Sequence, residues 1–149
     1  MPTQKKRILY LEDDPESVRD YYAILREKYE VIIGAHRDLL EKTRTQPVDL
    51  VIVDLMIHHY SSNAEDRLAP SISFQGINWQ RTGVEFIRRL RAGEYEIFGL
   101  PATVPVIVAT AVVDYAVQEQ VLALGVEAYK EKPFTLDEFD KAVKEALEQ

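Results

Sequence analysis

Strand-like and helix-like patterns alternate along this chain from end to end, and that alternation narrows the fold more than any other feature. Short apolar runs rich in β-branched residues stand at 8–11, 31–33, 49–53, 104–109 and 126–129. The sharpest is Leu50 to Val53, four consecutive apolar residues of which three are β-branched, the composition of a strand covered on both faces. Helical signals fill the gaps. Asp14-Pro15 predicts a helix start with an acidic cap and Pro in the first turn, its apolar face carrying Val18, Tyr21, Tyr22 and Leu25. A short helix is expected over 38–43, after Gly34 closes the second strand. Thr82 and Glu85 have the spacing of a capping box, with Val84, Ile87 and Leu90 facing inward and Gly93 at the end. A fourth helix runs from Asp114 to Gly125, and Thr135 with Glu138 forms a second capping box for a last helix ending near Leu147. Five strands alternating with five helices mean an α/β protein with a parallel sheet covered on both faces.

Composition excludes several functions. A length of 149 residues suits one domain with a proper core, and no repeat, linker or low-complexity stretch divides it. The net charge of −7 argues against direct nucleic-acid binding or adhesion to anionic membranes. Without cysteine there is no disulfide, thiolate zinc site or thiol chemistry. No apolar run reaches about 18 residues and the first residues are polar, so neither membrane insertion nor a secretory leader is expected. The expected location is the cytoplasm.

Chemistry gathers where the expected strands end. Glu12-Asp13-Asp14 follows the first, Asp54 the third, Thr110-Ala111 the fourth, and Lys132-Pro133 the fifth. In a parallel sheet these C-terminal ends share one edge, the usual ligand side of an open α/β sheet. Carboxylates brought together there repel one another unless a cation sits among them, and an all-oxygen group suits Mg²⁺. A lysine and a hydroxyl beside such an ion match the needs of phosphoryl transfer, which is mostly positioning and charge neutralisation. An aspartate can itself accept the phosphoryl group. Asp14 reads as a helix cap rather than another ligand, and His58-His59 as solvent-facing loop residues, since no third ligand is spaced to complete a zinc site.

Four segments resemble a known family in order and spacing: 8–15 (ILYLEDDP), 51–56 (VIVDLM), 106–111 (VIVATA) and 129–134 (YKEKPF). They are similar to the receiver domains of two-component response regulators, over nearly the whole chain. The resemblance implies a flavodoxin-like (CheY-like) three-layer sandwich with strand order 2-1-3-4-5, as a single stand-alone receiver over 1–149. It implies Asp54 as phospho-acceptor, and Mg²⁺ as the one cofactor, held by Asp13, Asp54 and the backbone carbonyl of Met56, with Glu12 acting through water. Thr110 would bond a phosphoryl oxygen, with Ala111 keeping its approach open. Lys132 would pair with Asp54 and then with the phosphate, its bond to Pro133 cis. Tyr129 stands at the aromatic switch position and would turn inward as Thr110 moves. Implied partners are a sensor histidine kinase or histidine phosphotransfer protein, then an unknown downstream protein, with room for a homodimer. No conventional enzyme activity is implied beyond the domain's own phosphorylation and dephosphorylation.

One stretch departs from the family. Gly83 lies 29 residues beyond Asp54, where receivers have only a short loop. The insertion, about 57–80, carries Ile57, Tyr60, Leu68, Ile72, Phe74, Ile77 and Trp79, too apolar for a disordered linker. Three arrangements are open: folding over or beside the Asp54 pocket, forming a subunit or partner contact, or packing on its own domain as an Ω-like loop. Two other functional classes are weighed. A degenerate receiver acting as a phosphorylation-independent interaction module is opposed by the intact Asp13, Asp54, Thr110 and Lys132. An aspartate-nucleophile phosphatase would carry a second Asp two residues after the first, where Met56 stands.

Overall fold

The computed structural model describes residues 5–58 and 71–148. Its five parallel strands are β1 (Arg7–Leu11), β2 (Glu30–Gly34), β3 (Leu50–Val53), β4 (Val106–Thr110) and β5 (Ala128–Glu131), in the order β2-β1-β3-β4-β5. The helices are α1 (Arg19–Lys28), α2 (Asp38–Thr45), α3 (Thr82–Arg91), α4 (Tyr115–Ala123) and α5 (Leu136–Leu147). The strand order is the one that the resemblance implies.

Alternation along the strands sorts the core into two layers. Leu9, Leu11, Val51, Val53, Val106 and Val108 point to one face, where Leu39 and Leu40 of α2, Val84 and Ile87 of α3, and Val117 and Val121 of α4 cover them. Ile8, Tyr10, Leu50, Ile52, Ile107 and Ala109 point to the other, under Leu25 of α1 and Phe139 and Val143 of α5. The central strand β3 is buried at every residue, which accounts for its unbroken apolar run.

Local starts and stops differ from the sequence pattern in instructive places. Thr135 and Glu138 make the reciprocal capping box, and Asp114 caps α4 by accepting from the amides of Ala116 and Val117. Thr82 and Glu85 do not make one: Thr82 is already helical, preceded by a 3₁₀ turn (Trp79–Arg81) that Asn78 caps. Glu85 instead binds Arg88 and Arg89, and the two guanidinium groups hold its carboxyl down at about 2, against the opposing effect of burial. Asp14 is not a side-chain cap either; a 3₁₀ turn (Pro15–Val18) intervenes before α1. β4 begins at Val106 rather than at 104, after Pro105, which has no amide for the ladder. β5 begins at Ala128 rather than at 126, because the chain still turns through Gly125 (φ 84°).

The later part of the insertion packs on its own domain. Ser71 bridges His36, the Ile72 amide donates to the Ala35 carbonyl at 2.6 Å, and Ile72 is buried beside α2. Phe74 packs on the same core under the guanidinium of Arg89, 4.4 Å from its ring centroid. The described residues 71–74 therefore take the third arrangement. Tyr60 and Leu68 lie outside the described residues. Gly83 then lets α3 seat directly on the end of β3. A Cβ there would stand 2.5 Å from both the Asp54 carbonyl oxygen and the Leu55 Cα.

Candidate functional site at the strand ends

Register alone collects the site. Leu11 pairs with Val53, Val53 with Val108, and Thr110 with Glu131, so the residues that follow each strand emerge at one edge. The Asp54 amide donates to the Leu11 carbonyl at 3.0 Å, and the Lys132 amide to the Thr110 carbonyl at 2.8 Å, extending the ladder by a step on both sides of the site. The structure thus brings together Glu12, Asp13, Asp54, Thr110 and Lys132, all expected from the sequence. The Lys132-Pro133 bond is cis, as expected.

Asp54 is the centre. Thr110 Oγ1 donates to its Oδ1 at 2.9 Å, the Met56 amide to the same oxygen at 3.0 Å, and Lys132 Nζ to its Oδ2 at 3.1 Å. Lys132 also donates to Glu12 Oε2 at 3.1 Å, while the other Glu12 oxygen accepts from the Asp14 amide. Glu12, Asp13 and Asp54 are all buried, at 2%, 5% and 5% exposure. Negative charge in so dry a place is costly. Burial first, and then the charge of Asp54, push the Glu12 carboxyl up to about 8 against the downward pull of Lys132. Burial would lower Lys132, but Glu12 and Asp54 outweigh it and its ammonium stays charged above its ordinary range.

A second chain of contacts leaves the site sideways. Thr110 Oγ1 also accepts from the Val112 amide at 3.3 Å, and the Tyr129 hydroxyl donates to the Val112 carbonyl at 2.9 Å. Tyr129 is half-buried against the α4 side of the core, and burial raises its hydroxyl pKa. The threonine and the tyrosine are thus both tied to one connection, Val112. Ala111 beside them is exposed.

Asp13 meets something that sequence reasoning missed. His58 donates to Asp13 Oδ2 from both its amide (2.8 Å) and its ring Nδ1 (2.6 Å), and its ring stacks on Trp79 with centroids 4.1 Å apart. The expectation of a purely solvent-facing His58 is corrected: its side chain is 59% exposed, yet both the ring edge and a ring face are engaged. Neither periodicity nor spacing signals a contact that joins the two ends of an irregular segment. His59 lies outside the described residues. The 58 and 79 ends of the insertion thus sit beside the pocket, in the first of the three arrangements, while 71–74 pack on the domain.

The donors here are carboxylate oxygens, with Met56 half-buried at the rim, a set suited to a hard cation. Among the described residues no three His, Asp or Glu side chains form a metal cage by themselves. Mg²⁺ does not need one, since it keeps several waters and uses one or two carboxylates. Lys132 pairs with Asp54 and Glu12, and Asp13 is a further buried acid beside them, so the edge holds more acidic groups than lysines for such an ion to neutralise.

Solved structures with the same architecture include receiver domains. The chain is similar to a response regulator receiver domain protein (CheY-like) from Methanospirillum hungatei, with 21% identity, TM-score 0.64, and coverage of 97% of this chain and 95% of that one. It is similar to a response regulator from Thermotoga maritima, with 21% identity, TM-score 0.66, and 97% and 99% covered. A response regulator receiver protein from Pseudomonas putida gives 19% identity, TM-score 0.67, and again 97% and 99%. No protein-family model matches the chain and no curated protein matches it in sequence. The fold is that of the response-regulator receiver domains, in a five-stranded flavodoxin-like sheet over nearly the whole chain. No helix among the described residues is long and apolar enough to cross a membrane.

Proposed function

We propose that this chain is a phosphorylation-controlled receiver in two-component signalling. On this reading Asp54 accepts a phosphoryl group from a partner's phosphohistidine or a small phosphodonor, with Mg²⁺ as cofactor. The observation that carries the reading is the pairing around Asp54: a hydroxyl on one carboxylate oxygen and an ammonium on the other, at 2.9 and 3.1 Å. In the transfer, an Asp54 oxygen forms the new bond to phosphorus while the donor's P–N or P–O bond breaks and its electron pair leaves with the donor. Lys132 turns from the carboxylate to a phosphoryl oxygen, and Thr110 donates its hydroxyl hydrogen to another. Asp13 and Asp54, with the Met56 carbonyl, would hold the ion, and Glu12 would reach it through water. Bound there, Mg²⁺ supplies the positive charge that lets an anionic donor approach a carboxylate.

Output follows the second chain of contacts. A phosphate that takes over the Thr110 hydroxyl changes what holds Val112, and Val112 precedes Val113 and Tyr115, two apolar residues exposed at 64% and 81% at the start of α4. A downstream protein or a second copy reading that surface would sense the phosphate. The alternative is an interaction module that works without phosphate. Acetyl phosphate separates the two. A phosphate-sized mass gain is expected with Mg²⁺, absent with EDTA and absent in Asp54→Asn. Equal labelling of that variant, or no labelling of the parent, would overturn the proposal.

A further inference from the structure

The contact between Asp13 and the insertion has no role in the chemistry above. Both donors of His58 land on one oxygen, Asp13 Oδ2. A carboxylate oxygen only accepts, so Nδ1 carries the hydrogen in this bond. Two donors on one oxygen, set in different directions, fix the rotation of the carboxyl group as a single bond would not. An imidazole with 59% of its side chain exposed would ordinarily sample several rotamers. Here Trp79 holds it, with the rings 22° from parallel. Trp79 is itself held, because its carbonyl accepts the Ile57 amide at 3.0 Å while the Ile57 carbonyl accepts the Thr82 hydroxyl at 3.4 Å. The entry and exit of the insertion close on each other with the His58 ring between Trp79 and Asp13.

We propose that His58, held by Trp79, is a positioning residue for the ion site: it sets the Asp13 carboxylate, so that ion affinity depends on the His58–Trp79 contact. The inference rests on the reading of Asp13 as an ion ligand and adds a regulator to it. The insertion becomes the element through which a partner that grips or displaces it changes how readily Asp54 is phosphorylated. Hydrogen bonds to ligating groups from outside the ligand set commonly change metal affinity by about 10- to 100-fold.

The test uses the full chain and Mg²⁺ alone, measured by calorimetry. Trp79 is the chain's one tryptophan, so its fluorescence reports the stack separately. His58→Phe keeps a ring over Trp79 and removes the donor; His58→Asn keeps a donor of similar reach and removes the stack. Expected are an approximately 10-fold or greater weakening of Mg²⁺ binding in His58→Phe, a similar weakening in Trp79→Ala, and partial recovery in His58→Asn. Asp54 phosphorylation should regain its parental extent once Mg²⁺ is raised to saturation. Unchanged or tighter Mg²⁺ binding in His58→Phe would overturn the inference while leaving the proposed function intact, as would His58→Asn binding no better than His58→Phe. A parent chain that takes up no Mg²⁺ overturns both, and that arm is read independently of the variants.

Discussion

Replacing Lys132 with methionine removes the cation that the buried Glu12 and Asp54 carboxylates share, and the structure gives the size of the effect. Lys132 Nζ stands 3.1 Å from both Glu12 and Asp54, and its side chain is only 22% exposed. At an effective dielectric of about 20, one such pair is worth about 5 kcal/mol of gross attraction. Desolvating the ammonium offsets part of that, and truncating one partner of a buried pair leaves a net loss of about 3 kcal/mol, a large share of ordinary domain stability. The loss also depends on pH. The folded parent keeps the Glu12 proton up to about 8, whereas the unfolded chain releases it near 4.5. Stability from that proton is complete below the lower value, falls as pH rises, and levels off above the higher one. Without Lys132 the folded state keeps the proton to still higher pH, so the variant's stability continues to fall where the parent's has levelled. The gap therefore widens above pH 8, by up to about 1.4 kcal/mol per pH unit. Urea unfolding followed by far-ultraviolet circular dichroism in EDTA, at pH 6.5 and 9, reads both effects. A variant within about 1 kcal/mol of the parent at both pH values would refute this account of the site's electrostatics.

Three further outcomes follow from particular contacts. Gly83→Ala should lower stability by about 3 kcal/mol in urea unfolding, because its Cβ meets backbone at 2.5 Å and neither α3 nor β3 can move aside cheaply. Thr110→Ala should still be labelled by acetyl phosphate yet lose any phosphate-dependent change in hydrogen exchange at the Val112 and Val113 amides; a parental response would show that Thr110 does not carry the signal. Tyr10→Phe should gain about 1 kcal/mol, since the Tyr10 hydroxyl is buried without a partner among the described residues. A loss instead would reveal a bound water on that hydroxyl.

Much of this was legible because the determining information is local or repeats along the chain. The run from Leu50 to Val53 states a doubly covered strand by itself, and a parallel sheet then forces Asp13, Asp54, Thr110 and Lys132 to one edge whatever the details of the helices. Thr135 and Asp114 act as caps because each accepts from backbone amide groups in the first turn of its own helix, within three residues in sequence. Thr82 and Glu85 have the same spacing as a capping box, but Arg88 and Arg89 claim the glutamate and an earlier turn, capped by Asn78, takes over the start. Asp14 fails as a cap because Pro15 opens a 3₁₀ turn rather than α1 itself. His58 was illegible for a different reason. Its partners, Asp13 and Trp79, are 45 and 21 residues away in sequence, and only the fold of an irregular segment joins them.

On the proposed reading, the contacts around Val112 bound how strong a switch this site would be. Its amide is held by the Thr110 hydroxyl and its carbonyl by the Tyr129 hydroxyl, so one residue joins the carboxylate of Asp54 to an aromatic ring on β5. A neutral hydrogen bond is worth about 1 kcal/mol net, and one to a charged group about 1.5 to 3 kcal/mol. On the proposed reading, a phosphate that recruits Thr110 replaces one charged acceptor with another. Only the difference between the two acts on the Val112 connection, since a ligand moves an equilibrium by its differential affinity alone. A difference of about 1 to 2 kcal/mol changes the ratio of two states by about 5- to 30-fold. That suffices to control a partner whose binding is marginal, but not to move a connection that is already fully committed. With Thr110 bonded to Asp54, the larger lever on the proposed reading would be the ion and Lys132: whatever draws the ammonium away from Asp54 would also change how tightly the carboxylate holds the threonine. Control of the charge around Asp54, through Asp13 and the insertion beside it, would in this chain set the resting position of the switch from which phosphorylation starts.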